Sequence, residues 1–221
     1  MTVHREIINN LKEEFTKDPN VESMFVIGSV ARNTYTDKSD LDILLVLKDF
    51  QEEQHTNSKT INGVKVETQR NTLNNYLQWL SERPFRIYTF EDIEVIFDLN
   101  NNLVMLKEKA EEIKKNFKPD NEEHLKAWMG SVILKLDSAR EKGDTKMVGY
   151  QLSNVLGKIL QAIYNINNLP TPPSTQAFEK ITGLAKLPNN FEPYWSDILV
   201  GDLEHREKAT RELIRFCLDN S

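Results

Sequence analysis

The spacing of apolar residues along the chain changes near residue 119, and this change predicts two structural parts. In the first part, apolar residues recur at helical spacing over residues 3–17 and predict an amphipathic helix. Two runs follow, VESMFVIG and LDILLVL, whose content of Val, Ile and Leu is typical of buried strands. These three elements predict a helix packed on the start of a sheet.

Further elements of both kinds follow before residue 119. We expect a third strand at INGVKVETQ, where apolar and charged residues alternate, and a fourth at IEVIFDL. The segment TLNNYLQWL and residues 103–116 have helical periodicity. The first part therefore predicts a small mixed sheet with flanking helices.

Beyond Lys118-Pro119-Asp120 only helical periodicity remains. It covers four segments, separated by loop signals such as LPTPPS and LPNNFEP: residues 121–142, 146–167, 174–186 and 202–218. We therefore predict an α+β fold, with a sheet-containing catalytic domain over residues 1–118 and a helical bundle over residues 119–221.

Composition and charge narrow the classes of partner. The chain is 39% hydrophobic and 28% charged, and it lacks the run of about 20 apolar residues that a membrane span needs. Residues 1–118 contain 16 Lys and Arg against 20 Asp and Glu, and the remainder contains 12 against 14. Neither part is basic, so we expect no nucleic-acid partner. The single cysteine, Cys217, favours a cytoplasmic location.

Two aspartates mark the start of the strand LDILLVL. Because side chains alternate along a strand, Asp40 and Asp42 project from one face. Paired carboxylates at the end of an apolar strand are costly unless a cation neutralises them, and Mg²⁺ prefers oxygen ligands. An isolated D-x-D is more often a solvated strand edge, so its context decides the interpretation.

That context is a Gly-Ser pair directly after the strand MFVI, with its serine eleven residues before Asp40. Gly28 allows close approach of the backbone to a ligand, Ser29 adds a hydroxyl donor, and Arg32 can bind a phosphate with its planar guanidinium. Together the two motifs indicate a phosphate-binding turn beside a metal site.

The segments GSVARN and SDLDIL resemble the signature of the DNA-polymerase-β-like nucleotidyltransferase superfamily. Within it, the domain order resembles that of bacterial antibiotic nucleotidyltransferases, which carry a helical domain after the catalytic domain. The resemblance implies Mg²⁺-dependent transfer of a nucleoside monophosphate from an NTP, most simply ATP, with release of pyrophosphate.

The resemblance also implies roles for particular residues. Gly28, Ser29, Arg32 and Ser39 would bind the nucleotide, and Asp40 and Asp42 would bind metal. Glu67 matches the third carboxylate of the superfamily and would serve as a metal ligand or as the general base, two roles that stay open. Asn33 stands where many relatives have glycine, and asparagine tolerates the left-handed backbone better than most residues.

Other chemistry-bearing residues have structural interpretations. Asp98, at the end of the strand IEVIFDL, is a competing carboxylate that we interpret as structural. Tryptophans can form aromatic walls of a ligand site but are more commonly core residues, and we interpret Trp79, Trp128 and Trp195 as core residues. No histidine pairs with another ligand at metal-binding spacing, and all four are expected at the surface.

Three acceptors of the nucleotide stay open. A small-molecule hydroxyl, such as that of an aminoglycoside or lincosamide antibiotic, leads because of the domain order and implies antibiotic resistance. A protein hydroxyl, as in adenylylating toxin–antitoxin systems, is second, and RNA extension is disfavoured by the charge. A non-catalytic nucleotide-binding module is the alternative from a different class, and homodimerisation is open.

Overall fold

The computed structural model describes residues 2–50, 55–119 and 122–220. It separates into two compact units, Met1–Lys115 and Asn116–Ser221. In the described residues no helix is long and apolar enough to cross a membrane. Each unit is built around its own apolar core.

The first unit contains a five-stranded mixed sheet in the order β3-β4-β2-β1-β5. The strands are β1 Val21–Ile27, β2 Leu41–Leu47, β3 Thr56–Ile61, β4 Val64–Thr72 and β5 Glu94–Asp98. Only β2 and β4 are parallel; the other neighbours are antiparallel. This arrangement places β2 at the centre, between β4, which carries Glu67, and β1, which leads into the Gly28-Ser29 pair.

In the described residues of this unit, four α-helices and a 3-10 helical segment accompany the sheet. They are α1 Val3–Phe15, α2 Gly28–Ala31, α3 Leu73–Glu82, the 3-10 segment Pro84–Phe90 and α4 Asn102–Asn116. Residues of α1 pack on one face of the sheet, against Val26, Ile43 and Val66. Residues of α3, the 3-10 segment and α4 pack on the other face, against Phe25 and Leu44.

The strand predicted at INGVKVETQ is in fact a hairpin. Asn62 and Gly63 both have positive φ, 47° and 81°, and turn the chain between β3 and β4. An Asn-Gly pair favours this two-residue turn, so the signal was present in the sequence. The strand β3, sequence TNSKTI, is polar and largely exposed because it lies at the sheet edge, and it therefore lacks the apolar alternation that predicts strands.

The described residues of the second unit form helices joined by loops, without a strand. It contains α5 Glu122–Glu141, α6 Thr145–Ile166, α7 Ser174–Lys180, a 3-10 turn Ile181–Gly183, α8 Phe191–Val200 and α9 Leu203–Asn220. The predicted start of the first of these helices, residue 121, lies outside the described residues. The predicted α+β fold with a following set of helices is confirmed.

One helix of the second unit was not predicted. The segment LPNNFEP was interpreted as a loop, but Phe191 begins α8 and Pro193 lies in its first turn. A proline is tolerated there because the first amides of a helix have no partner within the helix. Phe191 and Trp195 are buried and stacked, with ring centroids 5.6 Å apart, which anchors α8 in the core.

Candidate active site

The glycine of the Gly-Ser pair lies directly against the second aspartate. Antiparallel pairing of β1 and β2 sets Ile27 opposite Asp42, so the residue after β1 reaches the Asp42 side chain. Gly28 has φ of 73°, and a Cβ atom added to it would lie 2.8 Å from Asp42 Oδ2. Only glycine can both adopt this positive φ without strain and leave room for the Asp42 carboxylate, because it has no Cβ atom.

The third predicted carboxylate lies on the other side of Asp42. Parallel pairing of β2 and β4 sets Glu67 opposite Asp42, so the two side chains project from the same face of the sheet. Asp40 precedes β2 by one residue. The sheet thus brings Asp40, Asp42 and Glu67 together at one end of two neighbouring strands.

Lys65 is a cation that lies close to this group and was not among the residues predicted from the sequence. Its Nζ atom lies 3.3 Å from Glu67 Oε2 and 4.0 Å from Asp40 Oδ2. Side chains alternate along a strand, so Lys65 and Glu67 lie on the same face. This alternation could have predicted from the sequence that Lys65 lies beside the site. As an exposed side chain, Lys65 offsets part of the negative charge without filling the site rigidly.

The environment of Asp42 is unfavourable for a negative charge. The pKa of Asp42 is raised to about 6, mainly by burial and also by the charges of Asp40 and Glu67, and Lys65 and Arg32 offset only part of this rise. A divalent cation would reverse this balance, because it neutralises the carboxylates that repel one another. The donor set therefore fits a cation that prefers oxygen ligands.

The carboxylates of this site are not yet arranged as they would be around a bound metal ion. In residues 2–50, 55–119 and 122–220, no group of three His, Cys, Asp or Glu side chains is arranged to hold a metal ion. The carboxylates share a face, yet Lys65 lies within 4.0 Å of both Asp40 and Glu67. Binding of a cation would therefore require this lysine to withdraw and the carboxylates to adjust their rotamers.

The turn after β1 begins at Gly28 and ends at Asn33, both of which have positive φ. The helix α2 is only four residues long, Gly28–Ala31, so its dipole is small. Arg32 ends it, and Asn33 has φ of 56°, the left-handed conformation that asparagine tolerates. Asparagine at this position therefore preserves the turn.

The loop before β2 is fixed by a buried histidine. The prediction that all histidines lie at the surface was wrong for His4, which is fully buried in α1. Its Nε2 atom lies 2.8 Å from the carbonyl oxygen of Ser39, and its ring lies 4.9 Å from that of Tyr35. This contact joins α1 to the residue that precedes Asp40.

Two predicted residues have defined hydrogen bonds. The Ser39 hydroxyl accepts a bond from the Thr36 N–H at 2.9 Å, so it helps to shape the loop, and its contact with a nucleotide stays a prediction. Asp98 accepts bonds from the Ser23 hydroxyl at 2.7 Å and from the N–H of Asn102 and Leu103, both at 3.0 Å. Asp98 therefore caps α4, in agreement with its structural interpretation.

Comparison with known proteins identifies the first unit as the domain of a nucleotidyl-transferring enzyme. The sequence profile of the family described as "Nucleotidyltransferase domain" matches residues 4–119, which is more than half of the chain. The chain belongs to this family and is a nucleotidyltransferase. The profile covers all of β1 to β5, and so every predicted site residue.

One solved structure that matches is a nucleotidyltransferase-like protein from Exiguobacterium sibiricum. It is 14% identical in sequence, the match covers 97% of this chain and 74% of that protein, and the TM-score is 0.47. No curated protein sequence matches the chain.

Proposed function

We propose that this enzyme transfers a nucleoside monophosphate, AMP from ATP, to a hydroxyl of a small molecule and releases pyrophosphate. The observation that supports it best is the position of Asp42, half-buried between two other carboxylates and in contact with the glycine of the Gly-Ser turn. An antibiotic of the aminoglycoside or lincosamide class is the first acceptor to test, because the domain order resembles those enzymes.

The nucleotide binds on the β1 side of Asp42. Gly28 lets the triphosphate approach the backbone, the Ser29 hydroxyl and neighbouring N–H groups donate hydrogen bonds, and the Arg32 guanidinium neutralises phosphate charge. The helix dipole contributes little because α2 is a single turn. Ser39 shapes the adjoining loop and contacts the nucleotide from the β2 side.

The metal site consists of Asp40, Asp42 and Glu67, and Mg²⁺ is the proposed ion because its ligands are oxygens. Bound Mg²⁺ would lower the pKa of the acceptor hydroxyl and offset charge on the phosphates. Glu67 lies on β4, on the opposite side of β2 from the strand that leads into the Gly-Ser turn, so it is the carboxylate best placed to take the acceptor proton. Its roles as metal ligand and general base both remain in the proposal.

The reaction is a displacement at phosphorus. The acceptor oxygen forms a bond to the α-phosphorus while the bond from that phosphorus to the bridging oxygen of pyrophosphate breaks. The acceptor proton passes to Glu67 or to water. Asp42 must be ionised to hold the cation, and its pKa of about 6 leaves it largely so at neutral pH.

Other acceptors are outcomes of the same test. ATP labelled at the α-phosphorus is incubated with Mg²⁺, the enzyme, and either antibiotics of both classes or fractionated lysate. Label in a small molecule supports the proposal, whereas label in a protein favours adenylylation of a partner. No transfer, together with unchanged nucleotide binding by Asp42→Asn, would favour a non-catalytic module. The cytoplasmic location and homodimerisation remain proposals from the sequence.

Cation binding is expected to weaken as the pH falls through about 6. Protonated Asp42 cannot bind the cation, and its pKa is raised to about 6 by burial and by Asp40 and Glu67. Calorimetric titration with Mn²⁺ should show affinity falling between about pH 7.5 and 5. In Asp42→Asn the residual affinity should vary less over this range. A wild-type affinity that stays constant to about pH 5 would contradict the assignment.

A further inference from the structure

His4 is a polar residue on the apolar face of α1. It is buried together with Ile7, Ile8 and Leu11, at the i, i+3, i+4 and i+7 spacing of one helix face. Its Nδ1 atom is buried without a hydrogen-bond partner in the part of the chain that the structure describes. An apolar side chain would pack on this face at lower cost, because burial of an unpaired polar atom is unfavourable. Packing alone therefore does not account for a histidine at this position.

The other ring nitrogen of His4 makes a directed hydrogen bond. Nε2 lies 2.8 Å from the backbone carbonyl oxygen of Ser39, 35 residues away along the chain. A carbonyl oxygen can only accept, so Nε2 must carry the proton and donate it. The contact thus requires the tautomer of His4 that has its proton on Nε2.

The turn that contains Ser39 is bonded within itself and to α1. The Ser39 N–H donates to the Thr36 carbonyl oxygen at 3.0 Å, and the Ser39 hydroxyl accepts from the Thr36 N–H at 2.9 Å. At the start of the turn, the ring of Tyr35 lies 4.9 Å from that of His4, and its hydroxyl oxygen lies 3.1 Å from Thr2 Oγ1. Contacts with the start of α1 therefore hold both ends of residues 35–39.

Asp40 lies outside the strand pairing that fixes Asp42. Asp42 has a register partner on each side, Ile27 in β1 and Glu67 in β4. The pairing of β2 with β4 begins only at Leu41, and the side chain of Asp40 is about half exposed. The position of Asp40 therefore depends on the backbone of the turn that precedes it.

We propose that His4 is a positioning residue, whose hydrogen bond to the Ser39 carbonyl holds Asp40 in place for cation binding. This inference rests on the proposed metal site and adds to it a residue that contacts neither the cation nor a substrate. A ligand that is held in position before the cation arrives loses less conformational freedom on binding. The buried ring, anchored in the core through α1, supplies this restraint.

The test compares three variants of the full chain with wild type. His4→Leu removes the donor and keeps an apolar side chain on the buried face, whereas His4→Gln keeps an N–H donor close to the position of Nε2. Leu11→Ala is the matched control, because it weakens the packing of α1 two turns away from the contact with Ser39. Mn²⁺ affinity is measured by calorimetry, and thermal melting and hydrogen exchange are measured in EDTA.

We expect His4→Leu to lower the Mn²⁺ affinity roughly three- to tenfold, the effect of losing one hydrogen bond. Its melting temperature should be equal to that of wild type or higher, because a buried nitrogen without a partner is removed. In the metal-free protein, the amides of Thr36 and Ser39 should exchange faster while those of β2 are unchanged. His4→Gln should recover most of the Mn²⁺ affinity, and Leu11→Ala should lower the melting temperature but keep that affinity.

Several results would overturn the proposal. They are equal Mn²⁺ affinity in wild type and His4→Leu, and a loss in Leu11→Ala as large as that in His4→Leu, which would show an effect of general packing. The ¹⁵N chemical shifts of the wild-type histidines give a test that does not depend on the folding of any variant, since a proton on Nδ1 of His4 excludes the bond to Ser39. Wild type that fails to bind Mn²⁺ would instead contradict the proposed metal site itself.

Discussion

Asp42→Asn is expected to abolish nucleotidyl transfer and, in the absence of metal, to stabilise the folded protein. The substitution removes a ligand of the proposed cation, whose contribution to the transition state is several kcal/mol, so transfer should fall roughly a thousandfold or more. It also removes a charge that burial and two neighbouring carboxylates disfavour. A catalytic residue is often unfavourable for stability, so its replacement is expected to lower activity and to raise the free energy of unfolding together.

The stability effect has a definite sign and pH window. The pKa of Asp42 is raised from 3.8 to about 6 on folding, so its ionisation costs folding free energy above about pH 6 and nothing below the unfolded value. After allowance for partial screening by solvent, the gain in Asp42→Asn should be about 1–2 kcal/mol at neutral pH and should vanish towards about pH 4.

Urea unfolding in EDTA, at neutral and at acidic pH, measures this gain. The exposed Asp219→Asn, far from the site in sequence, is the matched control and should change neither stability nor transfer. An Asp42→Asn protein that is less stable than wild type at neutral pH would show that Asp42 has favourable partners, which contradicts the account of its environment.

Gly28→Ala is expected to lose transfer by roughly a hundredfold, since small displacements of a reacting group have effects of this size. The added Cβ would lie 2.8 Å from Asp42 Oδ2, so either the carboxylate or the turn must move. The left-handed backbone adds strain of about 1–2 kcal/mol for a residue with a Cβ.

Gly143→Ala separates these two causes. Gly143 also has a positive φ, 67°, but its added Cβ would meet nothing within 4 Å. It should therefore lose about 1–2 kcal/mol of stability from the backbone alone and keep full transfer activity. Transfer rates and urea midpoints of both variants make the comparison. Equal transfer activities of Gly28→Ala and wild type would show that the contact between Gly28 and Asp42 does not position the Asp42 carboxylate.

The sequence predicted the carboxylate site because its members are close along the chain or lie in strongly patterned strands. The apolar runs around Gly28 and Asp42 predict two buried strands, and those strands pair as antiparallel neighbours. The alternation around Glu67 predicts its strand and face. Its register opposite Asp42 required the structure, because parallel pairing between β2 and β4 depends on tertiary packing.

Contacts between distant segments were not predictable. His4 looks like a surface residue in an amphipathic helix, and only the fold brings it to the Ser39 carbonyl 35 residues away. The hairpin β3–β4 had a local signal in Asn62-Gly63, but its polar edge strand has no apolar pattern.

The most direct test of the site is a crystal structure with Mn²⁺ and a non-hydrolysable ATP analogue, in which anomalous scattering locates the ion. The account predicts the ion bound by the carboxylates of Asp40, Asp42 and Glu67, with Lys65 withdrawn and the triphosphate on the Gly28-Ser29 turn. An ion bound elsewhere, or a triphosphate away from this turn while the carboxylates remain paired with Lys65, would contradict it.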